Sequence, residues 1–311
     1  MAKIAVIGTG LVGATAAFAL IEGDLVHEIV LLDINRSRVE GEALDLGDST
    51  AFTGPSRVFV GDYQDCHDAD IIVFTAGANQ RPGESRLVLA EKNFEVLRDV
   101  LQKLMPCWRG GILFIVSNPV DILTYAACRL SGMDRSKVFG SGTILDSARF
   151  RHALSTHARV DARNIHAYVI GEHGDSAVPL WGRATVAGIH FDELCRQVNA
   201  PYPDREAVNT YIRQAAYRII ERKGATYYAV GLAIRKVCEA ILKDQHRVLT
   251  VSGWLSGHYG YHNTVFSLPT VVGRSGRLAE LELPLDRTEE SALKYSAAII
   301  KAAQERLREL Q

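Results

Sequence analysis

The sequence lacks the paired cysteines from which a disulfide framework or a zinc cluster is built. Its five cysteines are isolated, odd in number and never arranged as Cys-x-x-Cys. Small secreted domains are rich in paired cysteines, whereas unpaired cysteines are typical of a reducing compartment. We therefore expect a cytoplasmic protein without a structural metal site.

The sequence also lacks an excess of charge and a long apolar run. The net charge of −1 provides no field that would attract nucleic acid or an anionic membrane. Gly8, Gly10 and Gly13 interrupt the apolar amino-terminal stretch, and no later stretch approaches the roughly 20 apolar residues of a membrane helix. We expect neither nucleic acid nor a membrane among the partners.

Short runs rich in Val and Ile alternate with longer helical stretches in the first half of the chain. Near-continuous apolar runs are typical of strands buried on both faces of a parallel sheet. Strand–helix alternation indicates right-handed βαβ units and an open, doubly wound sheet, so we predict an α/β fold. The predicted strands are 4–7, 28–33, 57–60, 70–75 and 112–117, and the predicted helices are 11–23, 35–48, 85–108 and 120–131.

The pattern changes after about residue 145. Strand candidates 165–170 and 247–254 now look antiparallel, and the long helices 204–223 and 226–242 separate them. The last helix is predicted to begin at a capping residue, Thr288, with two glutamates in its first turn. We predict a nucleotide-binding domain over residues 1–144 and an α+β substrate domain over residues 145–311.

A glycine motif follows the first predicted strand and opens the first helix. Gly8, Gly10 and Gly13 form G-x-G-x-x-G, which permits a tight turn, close approach of the backbone to a pyrophosphate, and close packing of helix on strand. Asp33 ends the next strand, twenty residues after Gly13. A carboxylate there would bind the adenine ribose hydroxyls and repel a 2′-phosphate. The pattern predicts a Rossmann-type domain that binds NAD rather than NADP.

Two dehydrogenase classes are excluded by simple counts. The short-chain class needs a Tyr-x-x-x-Lys pair, and none of the eleven tyrosines has a lysine four residues later. The zinc alcohol class needs clustered cysteine ligands, and these cysteines are scattered.

Four segments carry groups suited to the reduction of a 2-oxo acid. GEHGDS presents His173 at the end of a strand, and an imidazole suits proton transfer near neutral pH. LDSAR places Asp146 and Arg149 on one side of a helix, where the acid can orient the imidazole and the guanidinium can bind a carboxylate. SNPVD brings Asn118 to the carboxyl edge of the sheet. GANQRPGESR reads as a mobile lid whose Arg86 can polarise the carbonyl.

These segments resemble the L-lactate/malate dehydrogenase family, and the bacterial L-lactate dehydrogenases in particular, from the first strand to the final helix. The resemblance implies that His173 donates and accepts the proton, with Asp146 as its partner and Arg86 as the lid arginine. It further implies that Arg149 anchors the substrate carboxylate, while Asn118 and Thr226 contact the substrate. For NAD binding, the resemblance adds five residues to the glycines and Asp33. They are Val12, Arg38, Tyr63, Gly77 and Asn118.

The resemblance also indicates which residue selects the substrate. Within this family, the distal group of the substrate meets the residue six positions before the lid arginine, which here is Gln80. A neutral amide suits the methyl group of pyruvate, whereas an arginine would pair with the second carboxylate of oxaloacetate. Because Arg81 is adjacent, malate dehydrogenase activity remains an alternative, as does a non-catalytic NAD-binding protein.

Two further residues match an allosteric site. Arg151 and His166 correspond to the residues with which many bacterial lactate dehydrogenases bind fructose 1,6-bisphosphate across a subunit interface. Two cationic groups that face a two-fold partner make a four-donor anion site. The resemblance implies a homotetramer.

Overall fold

The computed structural model describes residues 2–78 and 86–308. Within them, the first half folds as alternating strands and helices. The strands are β1 (Lys3–Ile7), β2 (Glu28–Leu32), β3 (Arg57–Val60), β4 (Ile71–Phe74), β5 (Ile112–Ile115) and β6 (Val138–Gly140), and the helices are α1 (Leu11–Glu22), α2 (Arg36–Ser49), α3 (Arg86–Leu104) and α4 (Val120–Leu130).

The six strands of the first half form a parallel sheet in the order β3-β2-β1-β4-β5-β6. This is the doubly wound order of a Rossmann domain, so the predicted fold class is confirmed. The strand β6 was not predicted, because its three residues are too few to show a pattern.

The second half contributes five helices and eight strands within the described residues. The helices are α5 (Ile144–Ala158), α6 (Phe191–Gln197), α7 (Arg205–Lys223), α8 (Tyr228–Leu242) and α9 (Arg287–Arg308). The strands are β7 (Ile165–His166), β8 (Val169–Ile170), β9 (Val178–Pro179), β10 (Thr185–Val186), β11 (Ile189–His190), β12 (Arg247–Ser256), β13 (His262–Gly273) and β14 (Gly276–Glu280).

The large sheet continues into the second half of the chain. The antiparallel strand β12 pairs with β6 through Ser252–Gly140 and Gly253–Phe139, and β13 and β14 extend the sheet to nine strands. The structure therefore joins the two expected domains by main-chain hydrogen bonds. The remaining strands form a three-stranded sheet (β11-β10-β7) and a two-stranded one (β8-β9).

Two local predictions for the second half were wrong. The predicted strand 165–170 is interrupted, because β7 pairs with β10 while β8 pairs with β9, and the chain changes sheets between them. Thr288 does not cap the last helix. The carboxylate of Asp286 accepts the N–H groups of Thr288 and Glu289, at 2.8 Å each, and Glu289 in turn accepts the N–H of Asp286 at 3.0 Å. The cap is thus a reciprocal pair that begins two residues earlier.

Helices cover both faces of the parallel sheet. In β1, Ile4 and Val6 point to the face covered by α1 and α8, while Ala5 and Ile7 point to the face covered by α3 and α4. All four residues are at most 4% exposed. The alternation is that of a strand between two layers of helices, as the near-continuous apolar run predicted. No helix within residues 2–78 and 86–308 is both long and apolar enough to cross a membrane.

Candidate active site

The glycine loop lies at the carboxyl end of β1, in the middle of the parallel sheet. Gly8 has φ +96°, and a Cβ there would lie 2.4 Å from the backbone N of Ala76. A Cβ on Gly13 would lie 2.1 Å from the carbonyl oxygen of Gly8, so this glycine allows α1 to pack directly on the loop. Both positions therefore require glycine for packing within the protein.

Gly10 differs from the other two glycines because its surroundings are open. A Cβ built on Gly10 meets no protein atom within 4 Å. Gly10 is also the N-cap of α1, and among the described residues no side chain caps this helix start. Free N–H groups at a helix N-terminus with open space before them form a phosphate site, so the loop fits the pyrophosphate of NAD.

Asp33 lies beside this loop at the end of β2. Its carboxylate accepts hydrogen bonds from the backbone N–H of Thr9, at 2.7 Å, and from that of Asn35, at 2.9 Å. The half-buried side chain is thus held where the carboxyl ends of β1 and β2 meet. This is the location in which an acidic residue can bind a ribose.

The other predicted NAD residues follow the same edge of the sheet. Val12 packs against the core near the start of α1, and Tyr63 packs against the opposite core, where burial raises the pKa of its hydroxyl. Arg38 is exposed on α2 and forms an ion pair with Glu42, at 3.5 Å. Gly77 lies against the side chain of Asn93, whose Oδ1 would be 2.9 Å from a Cβ on that glycine.

Two predicted catalytic residues, His173 and Asp146, come together with the predicted substrate anchor Arg149 where α5 meets the loop after β8. His173 Nδ1 lies 2.6 Å from Asp146 Oδ2, and Arg149 donates to the other carboxylate oxygen, Oδ1, at 2.9 Å. Asp146 is 4% exposed and Arg149 is 8% exposed. The His173 side chain keeps 24% of its surface open. With Nδ1 on the carboxylate, Nε2 is the ring nitrogen left for exchange with a substrate.

The electrostatics of this cluster favour a protonated imidazole. Burial of His173 opposes its positive charge, but the attraction and hydrogen bond of Asp146 outweigh burial and raise the pKa of the imidazole. Burial likewise opposes ionisation of Asp146, yet His173 and Arg149 hold the pKa of that carboxyl below its usual value. The pair therefore favours a proton on His173 and a negative charge on Asp146.

Two buried side chains hold the main chain of the histidine loop. Asp121, near the start of α4, accepts the backbone N–H of His173 at 2.8 Å, and its other oxygen accepts the hydroxyl of Ser252. Ser296 of α9 accepts the backbone N–H of Glu172 at 2.8 Å. We did not predict a role for either residue, although Asp121 closes the SNPVD segment and a carboxylate in an apolar helix start was a usable signal.

Asn93 on α3 is a third residue whose role was not predicted from the sequence. It is 2% exposed, and its side-chain amide links two loops of the site. Its Oδ1 accepts the N–H of Ala78 at 2.7 Å, and its Nδ2 donates to the carbonyl of Asn118 at 2.7 Å. An asparagine within an otherwise ordinary amphipathic helix gave no signal for this role.

A cavity of about 470 Å³ opens directly in front of the catalytic cluster. Among its described lining residues are Asn118, Asp146, Arg149 and His173, which the sequence analysis had grouped together. Helices α7 and α9 supply further walls that were not predicted, including Ala216, Ile220, Ile299, Ala303 and Arg306. The cavity thus combines an apolar wall with several guanidinium groups and an imidazole, which suits a small carboxylate with an apolar substituent.

The remaining predicted residues lie elsewhere. Thr226 is half-buried shortly before α8 and is not one of the described residues that line the cavity. Arg86 begins α3, but its side chain and the whole of Gln80 lie outside the described residues. Arg151 is half-buried on α5, whereas His166 is exposed on β7. In residues 2–78 and 86–308, no group of three or more His, Cys, Asp or Glu side chains can hold a metal ion.

Comparison with known proteins gives matches over nearly the whole chain. Residues 2–140 match the model of the lactate/malate dehydrogenase NAD-binding domain, and residues 143–311 match that of the lactate/malate dehydrogenase α/β C-terminal domain. The L-lactate dehydrogenase of Thermoanaerobacter pseudethanolicus is 48% identical, covering 97% of this chain and 98% of its own. That of Moorella thermoacetica is 47% identical, covering 96% of each chain.

A solved structure agrees with these relatives. The crystal structure of a minor L-lactate dehydrogenase from Enterococcus mundtii, in a ligand-bound form, superposes with a TM-score of 0.94. It is 37% identical in sequence, and the superposition covers 98% of both chains. At this identity and coverage, the two chains share the same overall fold.

Proposed function

The chain belongs to the lactate/malate dehydrogenase family, and from this premise we propose that it is an L-lactate dehydrogenase that reversibly reduces pyruvate to L-lactate. Its amino-terminal half is the NAD-binding domain of that family. The observation that carries the proposal is the contact between His173 Nδ1 and Asp146 Oδ2, at 2.6 Å, on the wall of a cavity that also contains Arg149.

The residues of the chain divide the work of the reaction. NADH, when bound, supplies the hydride. Arg149 binds the substrate carboxylate through its planar guanidinium, which can form two parallel hydrogen bonds. His173 gives the proton on Nε2 to the carbonyl oxygen as negative charge develops there, and it takes that proton back in the reverse reaction. Asp146 keeps the proton of Nδ1 in place and stabilises the positive imidazole.

The lid arginine and the residue that selects the substrate complete the proposal. We assign Arg86 to polarise the substrate carbonyl and Gln80 to accept the methyl group of pyruvate. Thr226 and Asn118 are assigned to the substrate, and Asn118 with Val12, Arg38, Tyr63 and Gly77 to NAD. The names of the similar proteins support pyruvate over oxaloacetate. The division into residues 1–144 and 145–311 remains a prediction.

The test is a comparison of two substrates. NADH oxidation is followed with pyruvate and with oxaloacetate, for the unmodified protein and for His173→Gln. We expect a much larger kcat/KM for pyruvate and loss of turnover, with NADH still bound, in the variant. A preference for oxaloacetate would identify a malate dehydrogenase with Arg81 facing the substrate. Turnover of neither would favour a non-catalytic NAD-binding protein.

We also propose that fructose 1,6-bisphosphate binds at Arg151 and His166. Burial lowers the pKa of the Arg151 guanidinium; nearby Tyr168 opposes this, and the positive charge of Arg247 adds to it. A half-buried cation that feels the charge of a second cation is a position at which an anion is stabilising. The bisphosphate should lower the KM for pyruvate in the unmodified protein, and Arg151→Gln with His166→Gln should abolish that effect.

The proposed homotetramer rests on an unusual surface. Large apolar side chains on three helices are exposed: Phe18 of α1 at 49%, Leu44 of α2 at 73% and Leu232 of α8 at 55%. Exposed apolar groups on neighbouring helices are typical of a subunit interface. Light scattering should give a tetramer, and Leu44→Glu with Leu232→Glu should give a smaller species.

The expected cellular setting belongs to the same proposal. The five cysteines are free thiols, four of them buried, which supports a reducing compartment such as the cytoplasm. Reduction of pyruvate there would regenerate NAD⁺ for glycolysis and fermentation.

A further inference from the structure

Ser296 connects the last helix to the loop that carries the catalytic histidine. It lies on α9, more than 100 residues after His173, and it is 0% exposed. We propose that Ser296 is a positioning residue for His173. Its hydroxyl holds the loop that carries His173 in place relative to the cavity, and thereby orients the imidazole towards Asp146 and the substrate. The inference deepens the proposed dehydrogenase function and rests on it.

The contacts of Ser296 reach both ends of this loop. Its Oγ accepts the backbone N–H of Glu172, the residue just before His173, at 2.8 Å. The same Oγ lies 3.1 Å from the hydroxyl of Ser176, which in turn donates to the carboxylate of Glu172. The hydroxyl is therefore part of a closed network around the turn that presents the imidazole. A buried network with every member paired holds one geometry.

The loop is also shaped to admit this hydroxyl. Gly171 has φ +83°, and a Cβ there would lie 2.6 Å from Ser296 Oγ. Any side chain at residue 171 would thus displace the serine or the loop. The glycine satisfies two demands at once, a left-handed backbone and the close approach of α9.

Two consecutive N–H groups of the loop are held by side chains from two different helices. Asp121 of α4 accepts the N–H of His173, and Ser296 of α9 accepts that of Glu172. Removal of the Ser296 hydroxyl leaves a buried N–H without its partner, and the main chain must move to find another. Since the N–H of His173 stays on Asp121, the loop would tilt and draw the imidazole away from Asp146.

The same helix forms a wall of the substrate cavity. One turn after Ser296, α9 presents Ile299 and Ile300 to the cavity, followed by Ala303 and Arg306. Ser296 therefore fixes the distance between this wall and the imidazole that must reach the substrate. A misplacement of about 1 Å at a reacting group can reduce the rate 100-fold.

The test is the Ser296→Ala variant of the full chain, with pyruvate and NADH. We expect kcat to fall about tenfold, while KM for pyruvate and Kd for NADH change less than about twofold, because Arg149 and the glycine loop are untouched. The matched control is Ser291→Ala on the same helix. Ser291 is exposed and its hydroxyl donates only within α9, to the carbonyl of Arg287, so its loss should leave kcat unchanged.

A pH profile separates positioning from a general loss of structure. Among the described residues, Asp146 and Arg149 of α5 and Asp121 of α4 act on the imidazole, and Asp146 is the strongest attraction. Glu172 of the same loop, Arg213 of α7 and Arg306 of α9 line the cavity with it. A tilted loop weakens that attraction, so the alkaline fall of pyruvate reduction should move to lower pH in Ser296→Ala. Simple destabilisation would lower the melting temperature without moving the profile.

Each outcome decides the inference. A folded Ser296→Ala protein with unchanged kcat and pH profile would overturn it, whereas no turnover by the unmodified protein would overturn the proposed function instead. If Ser296→Ala does not fold, Ser296→Cys keeps a side chain of similar size but replaces the hydroxyl with a much weaker hydrogen-bond acceptor for the N–H of Glu172, and it carries the same prediction. Normal kcat and an unshifted profile in that folded variant would then overturn the inference.

Discussion

The carboxylate of Asp121 accepts the backbone N–H of His173 at 2.8 Å, although the two residues lie in different halves of the chain. The second oxygen of Asp121 accepts the hydroxyl of Ser252. Burial raises the pKa of this carboxyl to about 6. The main chain of His173 is thus held by α4, while its imidazole is held by Asp146 on α5.

The pKa of Asp121 makes stability depend on pH in a defined direction. Because the carboxyl titrates at 3.8 when unfolded and at about 6 when folded, the folded protein binds this proton more tightly. The resulting contribution to the free energy of unfolding is fully present below pH 3.8 and is lost as the pH rises through 6. The total loss is about 3 kcal/mol. Asp121→Asn, which does not titrate, should lack this loss, as measured by urea unfolding at several pH values.

The exposed Asp134 serves as the control for that experiment, because its pKa is shifted in the opposite direction to that of Asp121. The hydrogen bonds from Ser136 to Asp134 hold the pKa of the Asp134 carboxyl below its usual value. Its contribution is therefore present above the unfolded pKa and is lost as the pH falls, which is the opposite direction. Equal pH dependence in the Asp121→Asn and unmodified proteins would contradict the prediction for Asp121.

Asp146→Asn should shift the pH dependence of catalysis. Pyruvate reduction needs the protonated imidazole, so activity is present below the pKa of His173 and is lost as the pH rises through it. Burial lowers this pKa and Asp146 more than compensates, so the asparagine variant should lose activity at lower pH. We also expect kcat to fall at least about 100-fold. Profiles of pyruvate reduction and lactate oxidation should shift together, and unmoved profiles would refute the pairing.

Arg149→Lys should separate substrate binding from cofactor binding. Lysine keeps the positive charge but lacks the planar pair of donors that grips a carboxylate. We expect the KM for pyruvate to rise about 100-fold while the Kd for NADH stays the same. NADH fluorescence titration supplies the second value. A KM close to that of the unmodified protein would exclude Arg149 as the anchor.

Gly8 and Gly10 should respond differently to the same substitution. Gly8→Ala places a Cβ 2.4 Å from backbone atoms at a positive φ, so the protein should lose stability. Gly10→Ala meets no protein atom, so the melting temperature without cofactor should be unchanged while NADH affinity falls. Thermal unfolding with and without NADH measures both effects. Unchanged NADH affinity in Gly10→Ala would show that no phosphate approaches this residue.

The sequence was most informative where a run of apolar residues corresponds to an element that is buried on all sides. The apolar runs predicted five of the six parallel strands, since a strand between two helical layers is apolar throughout. The contact between His173 and Asp146 followed from motifs whose chemistry needs both. Some side chains, such as Ser296 and Asn93, act only by binding main-chain groups of distant loops. The sequence does not reveal them, because their partners are far away along the chain and nothing distinguishes them from other polar residues in a helix. The break of 165–170 was missed since strand pairing is not local.

The pairing of β12 with β6 has a consequence for how the protein comes apart. Only Ser252–Gly140 and Gly253–Phe139 connect the strands of the two halves in this ladder, yet without them β6 would become a bare edge with unpaired N–H and carbonyl groups. An isolated fragment 1–144 should therefore self-associate through that edge. In the intact chain, Ser252 of β12 also donates to Asp121, which holds the main chain of His173. Separation of β12 from β6 therefore also releases the loop that carries His173. We therefore expect thermal inactivation and unfolding of the shared sheet to occur at the same temperature.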